Sequence, residues 1–267
     1  MIDSHVHLNR REFAGEQAAV LARARRAGVR GFLNVGYDLP TSEESVALAK
    51  QHPDIWATVG IHPHDAEVLA DAKGRVTTAG RDVLARLEEL AAHPRVIAVG
   101  EIGLDFYRDL SPRPAQFAAL AAQLELAARV NLPVVFHIRD AWPETLAFLD
   151  EVGLPGRRGV LHAFSGTAEH VAWAGERGFL LGIGGPVTYK NSRLPPRVSE
   201  AGLDLILLET DAPWLPPVPY RGKRNESGYL LHTRDKVAEI LGVGPEEVDD
   251  VTTANFNRLF ATEMPGS

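Results

Sequence analysis

The sequence predicts an α/β fold, a parallel (β/α)8 barrel formed by one domain over residues 1–267. Short apolar segments alternate with helical segments along the whole chain, which is typical of a parallel sheet covered by helices. Eight such units occur, the number that closes a barrel, and 267 residues is near the roughly 250 that such a barrel needs. No Gly-x-Gly-x-x-Gly motif follows the first strand, which disfavours the alternative of an open doubly wound sheet.

The predicted strands are short and rich in Val, Ile, Leu and Phe, residues that pack well in a buried sheet. They span residues 1–8, 31–36, 55–60, 96–101, 133–137, 159–162, 179–183 and 205–211. The predicted helices are rich in Ala, Leu and Glu, and several begin at Thr, Ser or Pro or end at Gly. They span residues 13–27, 41–51, 80–92, 115–130, 143–152, 168–177, 196–201, 230–241 and 245–260.

The composition is that of a soluble enzyme, with 45% hydrophobic and 24% charged residues and no apolar run that could span a membrane. Cysteine is absent, which excludes disulfides, thiolate metal sites and a cysteine nucleophile. The first strand begins at Ile2 and leaves no room for a signal peptide. These features predict a cytoplasmic protein, and the fold is compatible with a monomer that needs no obligate protein partner.

The formal net charge of −7 creates no global basic field for nucleic acid. A polyanionic substrate would therefore have to be attracted locally, by metal ions or by a small basic cluster.

The first strand carries His5 and His7 two positions apart. Because side chains alternate between the faces of a strand, both imidazoles share one face, and Asp3 lies beneath them. Two imidazoles fixed on a rigid strand are half of a metal site. Taken alone, the same motif is also compatible with two hydrogen-bonded core histidines.

Most histidines of this chain lie at one predicted edge of the sheet. Six of the ten lie at or just after the carboxyl ends of strands, namely His5, His7, His62, His64, His137 and His162. Glu101 and Asp211 end the fourth and eighth strands on the same edge, which is the active-site face of a barrel. Either carboxylate alone could cap a turn. Together these groups predict a dinuclear metal site.

Imidazole combined with carboxylate suits Zn, Mn, Fe or Mg. We assign the first ion to His5, His7, Glu101 and Asp211. We assign the second ion to Glu101, His137 and His162. Two ions about 3.5–4 Å apart, bridged by Glu101, can activate a water molecule, and Asp211 can take its proton as general base. Asp3 and Glu209 each precede a ligand by two residues and either support it or fill the barrel as a buried ion pair.

The sequence resembles the TatD family of metal-dependent deoxyribonucleases, within the amidohydrolase-like barrels. The matching stretches span residues 2–8, 60–64, 100–106, 137–141, 162–166, 209–214, 220–226 and 255–260. The resemblance implies a TIM barrel with two divalent ions on the ligands named above. It also implies hydrolysis of nucleic-acid phosphodiesters, often as a 3′→5′ exonuclease using Mg²⁺ or Mn²⁺, with Zn²⁺ as a further possibility. Ala163 and Ser227-Gly228 depart from the family pattern, which bears on the shape of the substrate loop.

The expected substrate is DNA, either single-stranded or at 3′ ends. Cations that follow strand ends predict phosphate contacts, with Arg139 and the cluster of Arg221, Lys223 and Arg224 favoured over Lys190. His62 and His64 could bind a phosphate oxygen or leaving group, or could order their own loop. Candidates to stack on a base are Phe106, Tyr107 and Trp214.

Two other functions are compatible with the same barrel. One is a small-molecule hydrolase that cleaves an amide, a lactone or a phosphoester. Several such barrels bridge their metals with a carbamylated lysine, and no lysine of this chain stands at a predicted strand end. The other is a metal-dependent binding protein without activity, which the complete ligand set with a general base disfavours.

Overall fold

The computed structural model describes residues 1–262. Its eight strands are β1 (Ile2–Val6), β2 (Gly31–Asn34), β3 (Ile55–Val59), β4 (Val96–Asp105), β5 (Val134–Arg139), β6 (Gly159–Leu161), β7 (Leu180–Ile183) and β8 (Ile206–Leu208). Its α-helices are α1 (Gln17–Arg26), α2 (Leu39–Gln51), α3 (Thr78–Ala91), α4 (Arg113–Val130), α5 (Trp142–Val152), α6 (Ala168–Arg177), α7 (Leu194–Ala201), α8 (Leu230–Leu241) and α9 (Pro245–Phe260).

The strands form one parallel sheet in chain order, from β1 to β8, with helices between them. A bridge between Val6 and Ala212 joins the end of β1 to the segment after β8. This connectivity confirms the predicted (β/α)8 barrel. The single domain predicted over residues 1–267 stays a prediction, and its last five residues, 263–267, lie outside the described residues.

Backbone contacts divide the chain into two compact units. The terminal unit comprises Met1–Asn34, His52–Ile55 and the described chain from His162 onward. Its strands pair as β1 with β2 and β7 with β8. Its fully buried aromatic side chains include Phe13, Phe32, Phe164, Phe179 and Phe256.

The central unit comprises Val35–Gln51 and Trp56–Leu161. Its four strands pair in the order β3, β4, β5 and β6, and Gly103 of β4 lies opposite His137 of β5. Helix α4 presents two buried amides, Gln116 and Gln123, to the backbone of the strand ends. Gln123 accepts a hydrogen bond from the Ile61 N–H at 2.7 Å and donates to the Ile61 carbonyl at 3.0 Å.

Among the elements whose boundaries differ from the predicted ones are β4 and α1. The strand predicted at 96–101 continues to Asp105, because all ten of its residues are buried and residues 102–105 pair with residues 136–139 of β5. The helix predicted at 13–27 begins only at Gln17, after a 3-10 turn at Arg11–Phe13. Helix α6 begins as a capping box in which the Thr167 N–H donates to His170 Nδ1, so His170 acts at a helix end.

No helix within residues 1–262 is long and apolar enough to cross a lipid bilayer. The monomeric state and the cytoplasmic location stay predictions.

Candidate metal centre

The terminal unit brings four of the predicted ligands together, and we call His5, His7, His162 and Asp211 the terminal cluster. The Nε2 atoms of His5 and His7 lie 3.0 Å apart. Asp211 Oδ1 lies 3.6 Å from His7 Nε2, 3.9 Å from His5 Nε2 and 3.8 Å from His162 Nε2. The rings of His5 and His162 stack with centroids 3.4 Å apart. His5 lies in β1 and His7 lies one residue after its end, and the two imidazoles meet on one side of the chain, as predicted.

Backbone hydrogen bonds hold Asp211 beside β1. Its N–H donates to the His5 carbonyl at 2.9 Å, and the His7 N–H donates to the Ala212 carbonyl at 2.9 Å. Asp211 has a left-handed φ of 53°, a conformation in which Asp is enriched among non-glycine residues. Burial alone would raise the pKa of Asp211, but hydrogen bonding with His7 and the charges of His162 and His5 outweigh it, and the pKa lies below its usual range. Asp211 is therefore a carboxylate at neutral pH.

Asp3 lies beneath the two imidazoles and is completely buried. Its carboxylate accepts hydrogen bonds from the Thr210 N–H at 3.0 Å and from the Thr210 hydroxyl at 2.7 Å. Burial raises the pKa of Asp3 to about 6, although these hydrogen bonds and one from Ser227 act in the opposite direction. Asp3 thus ties β1 to the segment after β8, between the predicted ligands.

Glu209 stands behind His162. Its Oε1 atom accepts a hydrogen bond from the Ala163 N–H at 2.7 Å and lies 3.1 Å from His162 Nδ1. The opposite ring nitrogen of His162 faces Asp211. A carboxylate on one imidazole nitrogen and a metal on the other is the usual arrangement around metal-binding histidines. The predicted supporting position of Glu209 has this geometry.

The central unit holds a second group of imidazoles and carboxylates, and we call His62, Glu101, Asp105 and His137 the central cluster. His137 Nδ1 lies 2.8 Å from Glu101 Oε1, and His137 Nε2 lies 3.0 Å from Asp105 Oδ2. His62 Nε2 lies 3.7 Å from the same Glu101 oxygen. Glu101 and Asp105 are buried, so this polar group occupies the end of the sheet away from bulk water.

Sequence reasoning missed Asp105. The residue stands four positions after Glu101, so in a strand both side chains share a face. The predicted strand ended at Glu101, and this alternation was therefore not extended. The structure continues β4 to Asp105 and brings its carboxylate against two histidines, His137 and His64.

The hydrogen bonds of His62 restrict what this residue can do. Its Nδ1 atom accepts a hydrogen bond from the His64 N–H at 3.1 Å, so the ring proton of the neutral form must be on Nε2. Burial, together with the charge of His137, holds the pKa of His62 well below its usual range. His62 is therefore a neutral donor from Nε2, and its ring also orders the loop around Pro63, one of the two predicted roles.

The donor atoms fit divalent ions. One ligand atom from each of His5, His7 and Asp211 lies within 4.8 Å of the others, and the same holds for His62, Glu101 and His137. Mixed imidazole and carboxylate donors match borderline and hard divalent metals. His162 also groups with His5 and Glu209. The assignment of His162 to the second ion, and of Glu101 to both ions, stays a prediction.

The predicted substrate residues are only partly available. Arg139 is exposed, and its guanidinium lies 4.0 Å from the ring centre of Tyr107. Arg221 is exposed and lies 4.4 Å from the ring centre of Tyr189. These paired cations and rings are a common means of binding phosphates and bases of a single strand.

Other predicted contacts are already engaged within the protein. Arg224 donates to Glu16 Oε2 at 2.8 Å, and His64 Nε2 lies 2.8 Å from Asp105 Oδ2. Lys223 is exposed beside the ring of Tyr220. Trp214 is 40% exposed, and its ring packs edge-on against His7 with centroids 5.1 Å apart. Their roles toward a substrate stay predictions.

Comparisons with known proteins agree with this geometry. The family described as TatD related DNase matches residues 2–261. The chain is 37% identical to the uncharacterized metal-dependent hydrolase YabD of Bacillus subtilis, over 97% of this chain and 98% of that protein. It is 39% identical to the 3′-5′ ssDNA/RNA exonuclease TatD of Citrobacter rodentium, over 99% of each chain.

Among solved structures, the crystal structure of YJJV, a TatD homologue of Escherichia coli, superposes with a TM-score of 0.88. Its identity to this chain is 28%, with 98% of each chain covered. The family therefore matches nearly the whole sequence, and the two histidine and carboxylate clusters agree with a metal-dependent enzyme. The chain belongs to the TatD-related DNase family and is a metal-dependent hydrolase that acts on ester bonds.

Proposed function

We propose that this protein is a nuclease that hydrolyses phosphodiester bonds of nucleic acid from the 3′ end, with single-stranded DNA as its substrate. The observation that carries the proposal is the presence of two groups of imidazole and carboxylate donors, each with its ligand atoms within 4.8 Å of one another, namely His5, His7 and Asp211, and His62, Glu101 and His137. Relatives that share 35–39% identity along their full length, such as the one from Citrobacter rodentium, are named as 3′-5′ ssDNA/RNA exonucleases. That name supports a nucleic-acid substrate for this chain.

Two divalent ions, Mg²⁺ or Mn²⁺ in use and Zn²⁺ as a substitute, complete the proposed site. His5, His7 and Asp211 would hold one ion, and Glu101 and His137 would hold the other. The assignment of His162 as a ligand of the second ion stays a prediction. When bound, such ions lower the pKa of a coordinated water and neutralise charge on the scissile phosphate. Every remaining part of the reaction falls to side chains of this chain.

Asp211 is the proposed general base. Its pKa lies below the usual range, so its carboxylate is unprotonated at neutral pH and can accept a proton at Oδ1. The low pKa makes it a modest base, and its value for catalysis lies in its position among three imidazoles, 3.6 to 3.9 Å from its Oδ1.

His62 is the proposed donor to a phosphate oxygen or to the leaving oxygen. Its Nδ1 is occupied by the His64 N–H, so only Nε2–H can face the substrate. A neutral donor whose ring is held by a backbone hydrogen bond needs no reorganisation when negative charge develops on an oxygen. The same hydrogen bond disfavours His62 as a metal ligand through Nε2, because that nitrogen carries the proton.

The exposed pairs Arg139 with Tyr107 and Arg221 with Tyr189 are proposed to bind the strand. A guanidinium can contact a phosphate while the ring next to it stacks on a base. Such contacts position a strand without reading its sequence, which suits a nuclease that removes nucleotides one after another.

The test is degradation of a 5′-labelled single-stranded oligonucleotide by metal-stripped protein, with and without added Mg²⁺ or Mn²⁺. The expected result is a metal-dependent ladder of products shortened from the 3′ end, and protection by a 3′-terminal block. Asp211→Asn should lower the rate by at least about 100-fold, in the range of a lost acid–base group. Asp250→Asn, the same change at an exposed position of α9, should leave the rate unchanged.

Internal fragments without a ladder would replace the exonuclease by an endonuclease. If the protein binds two ions but cleaves no oligonucleotide, the nuclease proposal is contradicted. The result would favour a hydrolase whose substrate is a small-molecule ester, amide or phosphoester. An unchanged rate in Asp211→Asn would contradict the proposed role of the base.

A further inference from the structure

Asp105 is a carboxylate of the central unit that holds three hydrogen-bonding contacts and that no part of the proposed mechanism uses. It is completely buried. Its Oδ2 atom lies 3.0 Å from His137 Nε2 and 2.8 Å from His64 Nε2, and its Oδ1 accepts from the Arg108 N–H at 2.7 Å. An ionised carboxylate only accepts hydrogen bonds, so both imidazoles must present Nε2–H to it.

The backbone of Asp105 is fixed as firmly as its side chain. The Asp105 N–H donates to Gln116 Oε1 at 2.9 Å, and Gln116 Nε2 donates to the carbonyls of Asp105 at 3.3 Å and Ser111 at 2.9 Å. The Ser111 hydroxyl donates to the His64 carbonyl at 2.7 Å. The carboxylate therefore cannot turn away from His137 without breaking bonds at several buried groups.

The second nitrogen of His137 points the other way. Its Nδ1 atom lies 2.8 Å from Glu101 Oε1. Two unprotonated acceptors would repel at that distance, so either a proton or a cation must be shared between them. The hydrogen bond from Nε2 to Asp105 is compatible with both cases, because it uses the opposite side of the ring.

We propose that Asp105 is a positioning residue that keeps the proton of His137 on Nε2, so that Nδ1 and Glu101 are presented together to the second ion. The inference rests on the metal site of the proposed function. Around metal-binding histidines the second ring nitrogen commonly donates to a carboxylate, which fixes ring orientation and tautomer. His64 is the second donor to Asp105 and holds that carboxylate in place, which accounts for its Nε2 contact inside the protein.

The first measurement uses the unaltered protein. Two-bond ¹H–¹⁵N correlation spectra of ¹⁵N-labelled protein report the protonation of each ring nitrogen of His137, assigned with His137→Gln. With Mg²⁺ bound, we expect a protonated Nε2 and an unprotonated Nδ1. A protonated Nδ1 in the Mg²⁺-bound protein would overturn the proposal, whatever the activity.

The second measurement is Mn²⁺ binding by calorimetry to metal-stripped Asp105→Asn. Loss of such a supporting carboxylate commonly lowers metal affinity 10- to 100-fold, and we expect this loss for one of two ions. The matched control is Asp109→Asn, an exposed position four residues further along, which should stay within about twofold of the unaltered protein. A circular dichroism melt of each variant checks that it is folded. His64→Gln, which leaves Asp105 in place, should lower the affinity for the same Mn²⁺ ion by a smaller factor.

The outcomes separate this inference from the nuclease proposal, because neither measurement needs DNA. Equal Mn²⁺ affinity in folded Asp105→Asn and unaltered protein would overturn the positioning role while leaving the nuclease intact. The expected His137 tautomer together with the expected loss of affinity would support it, even if no oligonucleotide were degraded.

Discussion

Gly182 of β7 lies directly against the carboxylate of Glu209, and a methyl group at this position should dislodge it. A Cβ at Gly182 would overlap Glu209 Oε2 and would lie 2.6 Å from Glu209 Cδ. Ordinary contacts of a Cβ begin at about 3.4 Å, so Glu209 Cδ must retreat by about 0.8 Å and Oε2 by more, or the strand must move. Glu209 is 1% exposed, so the shift would have to be accommodated by the neighbouring groups of a packed interior.

The cost can be estimated from two contributions. Inserting a methyl into a closely packed region typically costs about 1–3 kcal/mol. Moving the carboxylate also strains or breaks the 2.7 Å hydrogen bond from the Ala163 N–H, and a hydrogen bond to a charged group contributes about 1.5–3 kcal/mol. Gly182→Ala should therefore lower the free energy of unfolding by about 2.5–6 kcal/mol if the hydrogen bond is lost in full. It should also lower hydrolytic activity, because Glu209 stands behind His162.

Gly184 provides a matched control two residues away. A Cβ there would meet its nearest neighbours at 3.6 Å, and its φ of −109° suits any residue. Gly184→Ala should therefore be neutral or stabilising by up to about 1 kcal/mol, through the lower entropy of the unfolded chain. Urea unfolding of the metal-free proteins, followed by tryptophan fluorescence, measures both changes.

A double variant tests the assigned cause. Shortening the acid in Gly182→Ala/Glu209→Asp should recover part of the stability lost in Gly182→Ala alone, giving a favourable coupling energy. If Gly182→Ala and Gly184→Ala differ by less than about 0.5 kcal/mol, the contact between Gly182 and Glu209 does not constrain the site and the reasoning fails.

Three further outcomes are expected. Gln123→Met leaves the buried N–H and carbonyl of Ile61 without their partner, and it should lower the free energy of unfolding in urea by about 2–4 kcal/mol. The control Gln51→Met, at an exposed helix end, should change this free energy by less than about 0.5 kcal/mol. Burial raises the pKa of Asp3 from 3.8 to about 6. Between these two values the metal-free folded protein binds a proton that the unfolded chain has released. The free energy of unfolding should therefore fall by up to about 3 kcal/mol through Asp3 as pH rises from about 4 to 6. Asp3→Asn should lack this contribution, and parallel pH profiles for the two proteins would contradict it. Removing metal with EDTA should lower the free energy of unfolding by about 2.7 kcal/mol for each site filled at 100 times its dissociation constant, and adding Mn²⁺ back should restore it; an unchanged unfolding curve would argue against bound ions.

The ligand residues were predictable because a barrel converts position along the chain into position in space. Side chains at the carboxyl ends of parallel strands meet at one edge, so an imidazole or carboxylate at such an end has a predictable neighbourhood. His5 and His7 show the simplest case, since the alternation of an extended chain predicts a shared face, and their Nε2 atoms lie 3.0 Å apart at the end of β1.

The partners of each polar group were not predictable in the same way. The contacts of His137 with Glu101 and Asp105 join residues 36 and 32 positions apart, and which carboxylate meets which ring nitrogen depends on side-chain packing. Arg224 illustrates the opposite outcome. As part of a basic loop it predicts phosphate binding, yet its guanidinium is held by Glu16, 208 positions away.

The barrel, the succession of its strands and the residue types at their carboxyl ends could all be predicted from the amino-acid sequence. These follow from local patterns of hydrophobicity and from the regular geometry of strands. Three features became evident only in three dimensions: β4 extends to Asp105, a backbone N–H occupies the Nδ1 of His62, and Gly182 lies directly against the carboxylate of Glu209. The extension of β4 and the contact of Gly182 with Glu209 depend on distances between segments far apart in the chain, about which local sequence patterns carry no information. The contact of His62 depends instead on the backbone conformation of its own loop.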